Sequence, residues 1–166
     1  MLALRYLYLL ALVIWLGGMV VLGAVVAPST FQVLQSLEPQ SGRALAGEVF
    51  GTALARFAYV GYACAGVMIV TLTIMGLLGP RPKPFLIRGI LILVMLGIAV
   101  YAGVVVASQI ALVQQEAGGL PSALAAADPR RIRFDSLHTL SERLMTINVV
   151  AALVLLFMEA RTVGGE

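Results

Sequence analysis

Residues 6–27, YLYLLALVIWLGGMVVLGAVVA, decide the class of fold because they carry no charged side chain. A helix rises about 1.5 Å per residue, so this stretch is long enough to cross a hydrocarbon core of about 30 Å. A secretory signal peptide is the alternative, with Arg5 in its basic n-region and 25–27 (VVA) as its cleavage site. Its hydrophobic region would run for only about 7–15 residues, however, and this run is longer. We therefore predict a membrane-spanning helix over 6–27.

The composition of the whole chain also indicates an integral membrane protein. Its 166 residues are 61% hydrophobic and only 11% charged, whereas soluble domains average about 45–50% apolar and about 25% charged residues. The net charge is +3, and the basic residues lie at the ends of the apolar runs, so nothing suggests a nucleic-acid partner. The single cysteine, Cys64, excludes an intramolecular disulfide. We predict one membrane domain, residues 1–166, whose partner is the lipid bilayer.

Three further apolar runs predict an all-α, polytopic membrane protein, a four-transmembrane-helix bundle. The predicted spans are 6–27, 57–78, 85–113 and 135–161, with an amphipathic connection at 29–55 and a polar loop at 114–134. Four spans place both termini on one side of the membrane. The short basic linker at 80–88 favours that side as the inner one, although the arginines at 130–133 lie on the other side. We expect an N-in, C-in protein of the bacterial inner membrane.

Small residues at every fourth position predict where the helices approach one another. The third span carries such a row of four residues, and the second span carries a pair, Gly61 and Ala65. The row consists of Ala99, Gly103, Ala107 and Ala111. Small side chains let helix backbones come close together in lipid. Close helix packing is the first interpretation of these rows, and a dimer face or a ligand slot is the second.

The only histidine of the chain, His138, lies in a polar stripe at the start of the last span. At about 100° per residue, Asp135, His138 and Glu142 fall on one face of a helix. A histidine and a glutamate four residues apart can hold a divalent metal, although a complete site takes three or four ligands. We predict a ligand-binding site of His138, Glu142, Asp135, Arg56 and Gln109 near the outer face, with His138 and Glu142 as metal ligands.

A purely structural interpretation of the same stripe is also open. Asp135 would then be the N-cap of the last helix, and Glu142 would pair with Arg56 or Arg143. Ser141 and Asn148 point away from the stripe, and we expect them to form hydrogen bonds between helices.

Three segments occur in an informative order: 15–34 (WLGGMVVLGAVVAPSTFQVL), 41–51 (SGRALAGEVFG) and 134–144 (FDSLHTLSERL). Together they resemble the transmembrane-protein-205-like family, small four-helix membrane domains of unknown function, over about residues 9–156. The family pattern maps onto Trp15, Gly18, Pro28, Phe31, Gly47, Arg56 and His138. The architecture is also distantly similar to that of copper-resistance D-type membrane proteins. The resemblance implies metal or small-molecule handling in a four-helix domain.

The leading functional hypothesis is non-enzymatic: the polar site near the outer face binds or moves a small solute or a metal ion, and a divalent metal is the candidate cofactor. A structural or accessory subunit of a larger membrane complex, or a homo-oligomer, is the alternative that the small-residue rows suggest. A haem- or quinone-linked membrane oxidoreductase is the second alternative. A single histidine excludes bis-histidine haem within one chain.

Overall fold

The computed structural model describes residues 2–39, 41–78, 84–119 and 121–163, and these ranges contain helices and no strand. Four helices are long and apolar enough to cross a membrane: α1 (Leu2–Leu37), α2 (Gly42–Leu78), α3 (Phe85–Ala117) and α4 (Pro129–Val163). A short 3-10 turn, Pro121–Ala123, lies between α3 and α4. The prediction of an all-α membrane protein with four spanning helices is confirmed. The first part of the basic linker at 80–88, which was predicted to set the topology, lies outside the described ranges because these omit residues 79–83.

Helices α1 and α3 each contain one turn of π-helix, at Leu22–Val26 and Tyr101–Val106. Pro28 follows the first of these turns, and a proline inside a helix has no N–H to donate and crowds the carbonyl four residues earlier. The wider π turn, in which the Ala27 N–H bonds to the Leu22 carbonyl, lies directly before that proline. The helix therefore continues through Pro28 to Leu37.

Helix α2 begins at Gly42, well before residue 57, so the second half of the predicted connection at 29–55 is helical. The turn that leads into it brings Gly42 against the backbone of Leu34, where a Cβ on residue 42 would overlap the Leu34 carbonyl. The side chain of Ser41 donates to Glu38 at 3.4 Å. A glycine is needed here because two backbone segments approach more closely than any side chain allows.

Helix α4 begins at Pro129, six residues before the expected start, because a cap precedes it in the sequence. The carboxylate of Asp128 accepts the Arg130 N–H at 2.9 Å, and Pro129 occupies the first helical position. An aspartate at the N-cap followed by a proline is a strong start signal. The interpretation of Asp135 as the N-cap of this helix is therefore wrong.

In the half of the molecule that holds both termini, the four helices form one closed bundle. Its core includes Leu12, Met68, Ile92, Met95 and Leu155, all fully buried. The long apolar runs supply these side chains from every helix, so the main hydrophobic core lies in this half.

In the opposite half, the helices separate into two pairs. The end of α1, Ala27–Leu37, packs on α2, and the end of α3, Ala107–Ala117, packs on α4. The second pair has a small core of its own around Val106, Val113 and Leu137. A cleft lies between the two pairs.

Candidate functional site

The cleft has a volume of about 770 Å³, within the roughly 300–1,000 Å³ of typical ligand pockets. One wall is α2 from Ala44 to Gly61, and the other is α3 from Ile98 to Gln114. Both walls include exposed residues. The cleft is therefore accessible from outside the bundle.

The small-residue row of α3 forms much of one wall. Ala99, Gly103 and Ala107 all line the cleft. Near Ala99 and Gly103 the row also packs against α2. A Cβ on residue 103 would lie 2.6 Å from the hydroxyl of Tyr62, and this hydroxyl donates to the Ala99 carbonyl at 3.4 Å. The row thus contacts α2 near Tyr62 and borders the cleft along the rest of its length. Whether it also forms a ligand slot or a dimer face stays a prediction.

The rows on α2 contact the core more directly. Ala65 is fully buried, and a Cβ on Gly61 would lie 2.9 Å from Nε1 of Trp15. Gly61 also lines the cleft, beside the Trp15 ring. Because residue 61 is a glycine, the Trp15 indole fits against α2 at the boundary between the closed bundle and the cleft.

The floor of the cleft holds one polar side chain, Asn148 of α4, which is 4% exposed. Its Nδ2 donates to the Met95 carbonyl on α3 at 3.3 Å, the kind of interhelical hydrogen bond expected for this residue. Among the described residues its Oδ1 has no hydrogen-bond partner. Trp15, Met19 and Met145 line the cleft nearby. Asn148 thus leaves a buried amide oxygen without a hydrogen-bond partner among the described residues, in a largely apolar floor.

The open end of the cleft is more polar than its floor. Glu48 and Thr52 of α2 and Gln114 of α3 line it and are exposed. Ser141 of α4 is half-buried on the same side as Asn148. The lining therefore changes from polar and exposed at the end away from the termini to mostly apolar at the floor.

The polar stripe predicted as a site lies on another face of α4. His138 Nε2 and Glu142 Oε1 are 3.3 Å apart, and their side chains are 54% and 67% exposed. Asp135 is 3.8 Å from Arg131, also four residues away on the helix, and the His138 ring stacks on Phe134. These are local contacts along one exposed helix face, and none of the stripe residues lines the cleft.

The remaining predicted site residues are not joined to this stripe. Arg56 is exposed on α2 and Gln109 is half-buried on α3. In the part of the chain that the structure describes, no hydrogen bond or ion pair links either of them to His138 or Glu142. The same described ranges contain no group of three or more His, Cys, Asp and Glu side chains placed to hold a metal ion. His138 and Glu142 thus come together as a pair.

A buried ionic cluster at the terminal end was missed by sequence reasoning. Arg88 of α3 and Glu159 of α4 are 2% and 3% exposed and form an ion pair. Arg88 also donates to the Met158 carbonyl at 3.3 Å, and Arg5 of α1 lies 3.2 Å from Glu159. The hydroxyl of Tyr8 is buried there without a hydrogen-bond partner among the described residues. Ionisable groups buried inside a membrane domain usually pair with one another.

Only a weak signal in the sequence could have found this cluster. Arg88 follows the start of an apolar helix by three residues, and Glu159 is an acid near the end of the last span. Positions like these are expected to be topology determinants or to mark the edge of the membrane. Their pairing joins residues far apart in the chain, so periodicity along one helix cannot reveal it.

Comparisons with known proteins give one match. No curated protein and no solved structure matches the chain. The family model DUF4149, described as a domain of unknown function, matches residues 10–119, which is more than half of the chain. It agrees with the expectation of a small membrane domain of unknown function, and does not extend to the transmembrane-protein-205-like or copper-resistance D-type families. The matched residues run from α1 to the end of α3, and the chain therefore belongs to the DUF4149 family.

Proposed function

We propose that this protein binds a small, mostly apolar molecule of the bilayer in the cleft between its two helix pairs. The observation that carries the proposal is the lining. Both walls are largely apolar and rich in glycine and alanine, and a buried amide whose oxygen has no partner among the described residues lies at the floor. A mostly apolar pocket with few well-placed polar groups is the usual form of a small-molecule site. This proposal keeps the expected small-solute binding and moves it from the exposed stripe to the cleft.

Two glycines of α2 support a ligand slot over simple helix packing. A Cβ on Gly47 or on Gly51 would meet no atom within 4 Å, so no neighbouring helix requires a glycine at either position. Glycine in a helix is less favourable than alanine by about 1 kcal/mol. Both glycines line the cleft. The two glycines therefore leave space in the cleft that larger side chains at these positions would occupy.

The depth of the cleft suits a molecule that partitions into the bilayer. Asn148 is eleven residues before Glu159 on α4, or about 16 Å along the helix axis, and Ser141 is about 27 Å from it. With Glu159 at one edge of a hydrocarbon core of about 30 Å, the floor lies near the middle of the bilayer. In the expected N-in, C-in orientation the cleft occupies the outer half.

Trp15 provides a direct test, because it is the only tryptophan and is 2% exposed beside the cleft. A bromine-labelled straight-chain alcohol that enters the cleft will quench its fluorescence saturably. Gly47→Leu with Gly51→Leu should weaken this quenching at least tenfold, since the leucines fill the cleft. Gly66→Leu is the matched control: Gly66 is exposed on the same helix outside the cleft, and a Cβ there meets no atom within 4 Å. Unchanged quenching in the double variant would exclude the cleft as the site.

Metal binding at His138 and Glu142 is a separate proposal, supported by their 3.3 Å approach. A two-residue site leaves the other coordination positions to water or to another chain. Titration with Zn²⁺ tests it: the signal should disappear in His138→Ala with Glu142→Ala and persist in Asp135→Asn. Equal zinc binding by the double variant would rule this pair out.

The accessory-subunit alternative makes a different prediction for the protein extracted from its own membranes. Native mass spectrometry in mild detergent would then detect a co-purifying protein chain. An added small mass that disappears in the Gly47→Leu, Gly51→Leu variant would support the ligand proposal.

A further inference from the structure

Resting on the proposed cleft ligand, we infer that the cleft selects neutral molecules that carry a hydroxyl group, and that Asn148 is the residue that selects them. The inference names the class of ligand: an apolar alcohol, in preference to the ether, hydrocarbon or carboxylate of the same shape.

The first step is the orientation of the Asn148 amide. Its NH₂ group faces the Met95 carbonyl at 3.3 Å. The reverse orientation would place Oδ1 against the Met95 carbonyl oxygen, which is unfavourable. The Met95 carbonyl therefore determines which atom of the amide has no partner. What remains is Oδ1, an acceptor, which has no partner among the described residues. The group that completes it must therefore be a donor.

The second step is that the other polar side chains around the cleft are engaged or distant. Glu48 and Gln114 are exposed at the open end. Ser141 is two turns away on α4, about 10 Å along the helix. The indole nitrogen of Trp15 faces α2, where a Cβ on residue 61 would lie 2.9 Å from it, and it is not a hydrogen-bond partner of Asn148 Oδ1. The donor is thus to be supplied by the occupant of the cleft.

The third step excludes charged occupants. The surroundings of Asn148 are apolar, with Met145, Ile98 and Trp15 among the lining residues. The buried cation on the interior side, Arg88, is already paired with Glu159 at the far end of the bundle. A carboxylate or an ammonium group at the floor would be desolvated without a counter-charge, which is strongly unfavourable. A neutral hydroxyl meets the acceptor without this penalty.

The test compares two brominated probes of equal chain length, a primary alcohol and its methyl ether, through quenching of Trp15. A site that holds a buried polar group rejects an analogue that leaves the group unpaired. We expect the alcohol to bind wild-type protein about ten- to a hundredfold more tightly than the ether. We expect the corresponding carboxylic acid at neutral pH to bind more weakly than the alcohol.

Asn148→Leu assigns the preference to its residue. Leucine has a similar shape and no polar atom, so the variant should bind alcohol and ether equally, with ether affinity close to that of wild type. The variant also loses the hydrogen bond to Met95, so its unfolding temperature is measured as a control for folding. The comparison of the two probes on wild-type protein does not depend on this variant. A preference retained in folded Asn148→Leu would overturn the assignment.

The outcomes separate this inference from the proposal beneath it. Equal quenching of the wild-type protein by alcohol and ether would overturn the selection of hydroxyl groups and leave the cleft as a binding site. Quenching by neither probe, or equal quenching in the Gly47→Leu, Gly51→Leu variant, would overturn the cleft itself.

Discussion

At the scale of single residues, the ion pair of Arg88 and Glu159 makes the sharpest stability prediction. Both side chains are almost fully buried. Removing Glu159 leaves Arg88 charged in an apolar setting, whereas removing Arg88 leaves Glu159 with Arg5 at 3.2 Å as its counter-charge. Such changes destabilise by roughly 3–5 kcal/mol, whereas replacing both partners by apolar residues is often close to neutral. We expect Glu159→Met to lower the unfolding temperature in detergent more strongly than Arg88→Met, and the double variant to recover most of the Glu159→Met loss. Additive losses in the double variant would contradict this.

The cap of α4 makes the pH prediction, because Asp128 lies outside the spanning segment. Hydrogen bonds from the side chain and then from the backbone N–H of Arg130 hold the pKa of the Asp128 carboxyl below its usual value. A carboxyl whose pKa is lower in the folded state stabilises the protein above its unfolded pKa of about 3.9, and this contribution is lost as the pH falls through the folded value.

The difference in stability between wild type and Asp128→Ala should therefore be constant from neutral pH to about pH 5, and should shrink below about pH 4. Unfolding in detergent at a series of pH values measures it. Asp128→Asn, which keeps a capping oxygen and has no charge, should lose less than Asp128→Ala at pH 7. A difference that persists unchanged at the lowest pH would argue against a role for the carboxylate.

At the scale of helices, the apolar runs predicted how many elements there are, but not where two of them begin. Hydropathy marks the part of a helix that crosses lipid, while the start is fixed by local backbone chemistry, as at Asp128 and Gly42. The same limit applies to helix faces. The stripe with His138 was conspicuous because it is charged. Asn148 lies on a different face of α4, and only the packing of α3 against α4 shows that its side-chain oxygen is buried without a partner among the described residues.

Gly42 and Gly66 of α2 give a paired prediction about this helix. A Cβ on Gly42 would overlap the Leu34 carbonyl, and a Cβ on Gly66 would meet nothing within 4 Å. Gly42→Ala should therefore destabilise the protein by about 1–3 kcal/mol, as overpacking does. Gly66→Ala should leave it unchanged or raise its stability by up to about 1 kcal/mol, because alanine favours a helix. Thermal unfolding of both variants in the same detergent measures the difference, and equal effects would contradict the close approach.

At the scale of the whole molecule, composition was sufficient to predict a four-helix membrane bundle, and the bundle is present. The separation of the two helix pairs was not predictable. A row of small residues such as Ala99, Gly103 and Ala107 has the same sequence whether it contacts another helix or lines a space. The choice depends on which helices contact one another in three dimensions, and no single segment contains that information.

The expected topology has a direct test in intact cells. Ala126 is exposed in the connection between α3 and α4, on the side opposite both termini. In a Cys64→Ala background, Ala126→Cys should react with a membrane-impermeant thiol reagent added outside the cells, because an N-in, C-in protein places this connection outside. Labelling that requires disruption of the membrane would show the opposite orientation. It would then place the proposed cleft in the inner half of the bilayer.

The π turn at Tyr101–Val106 has a consequence for the phase of α3. In an unbroken α-helix, every fourth residue advances by about 40°, so Ala111 would be rotated by roughly 120° from Ala99 and would leave the shared face. A π turn absorbs one extra residue within a turn, which moves the azimuth of each later residue back by about 100°. Ala99, Gly103, Ala107 and Ala111 then stay within about 60° of one another, and all four line the cleft. One inserted residue thus converts a spiralling row into a straight track along the wall.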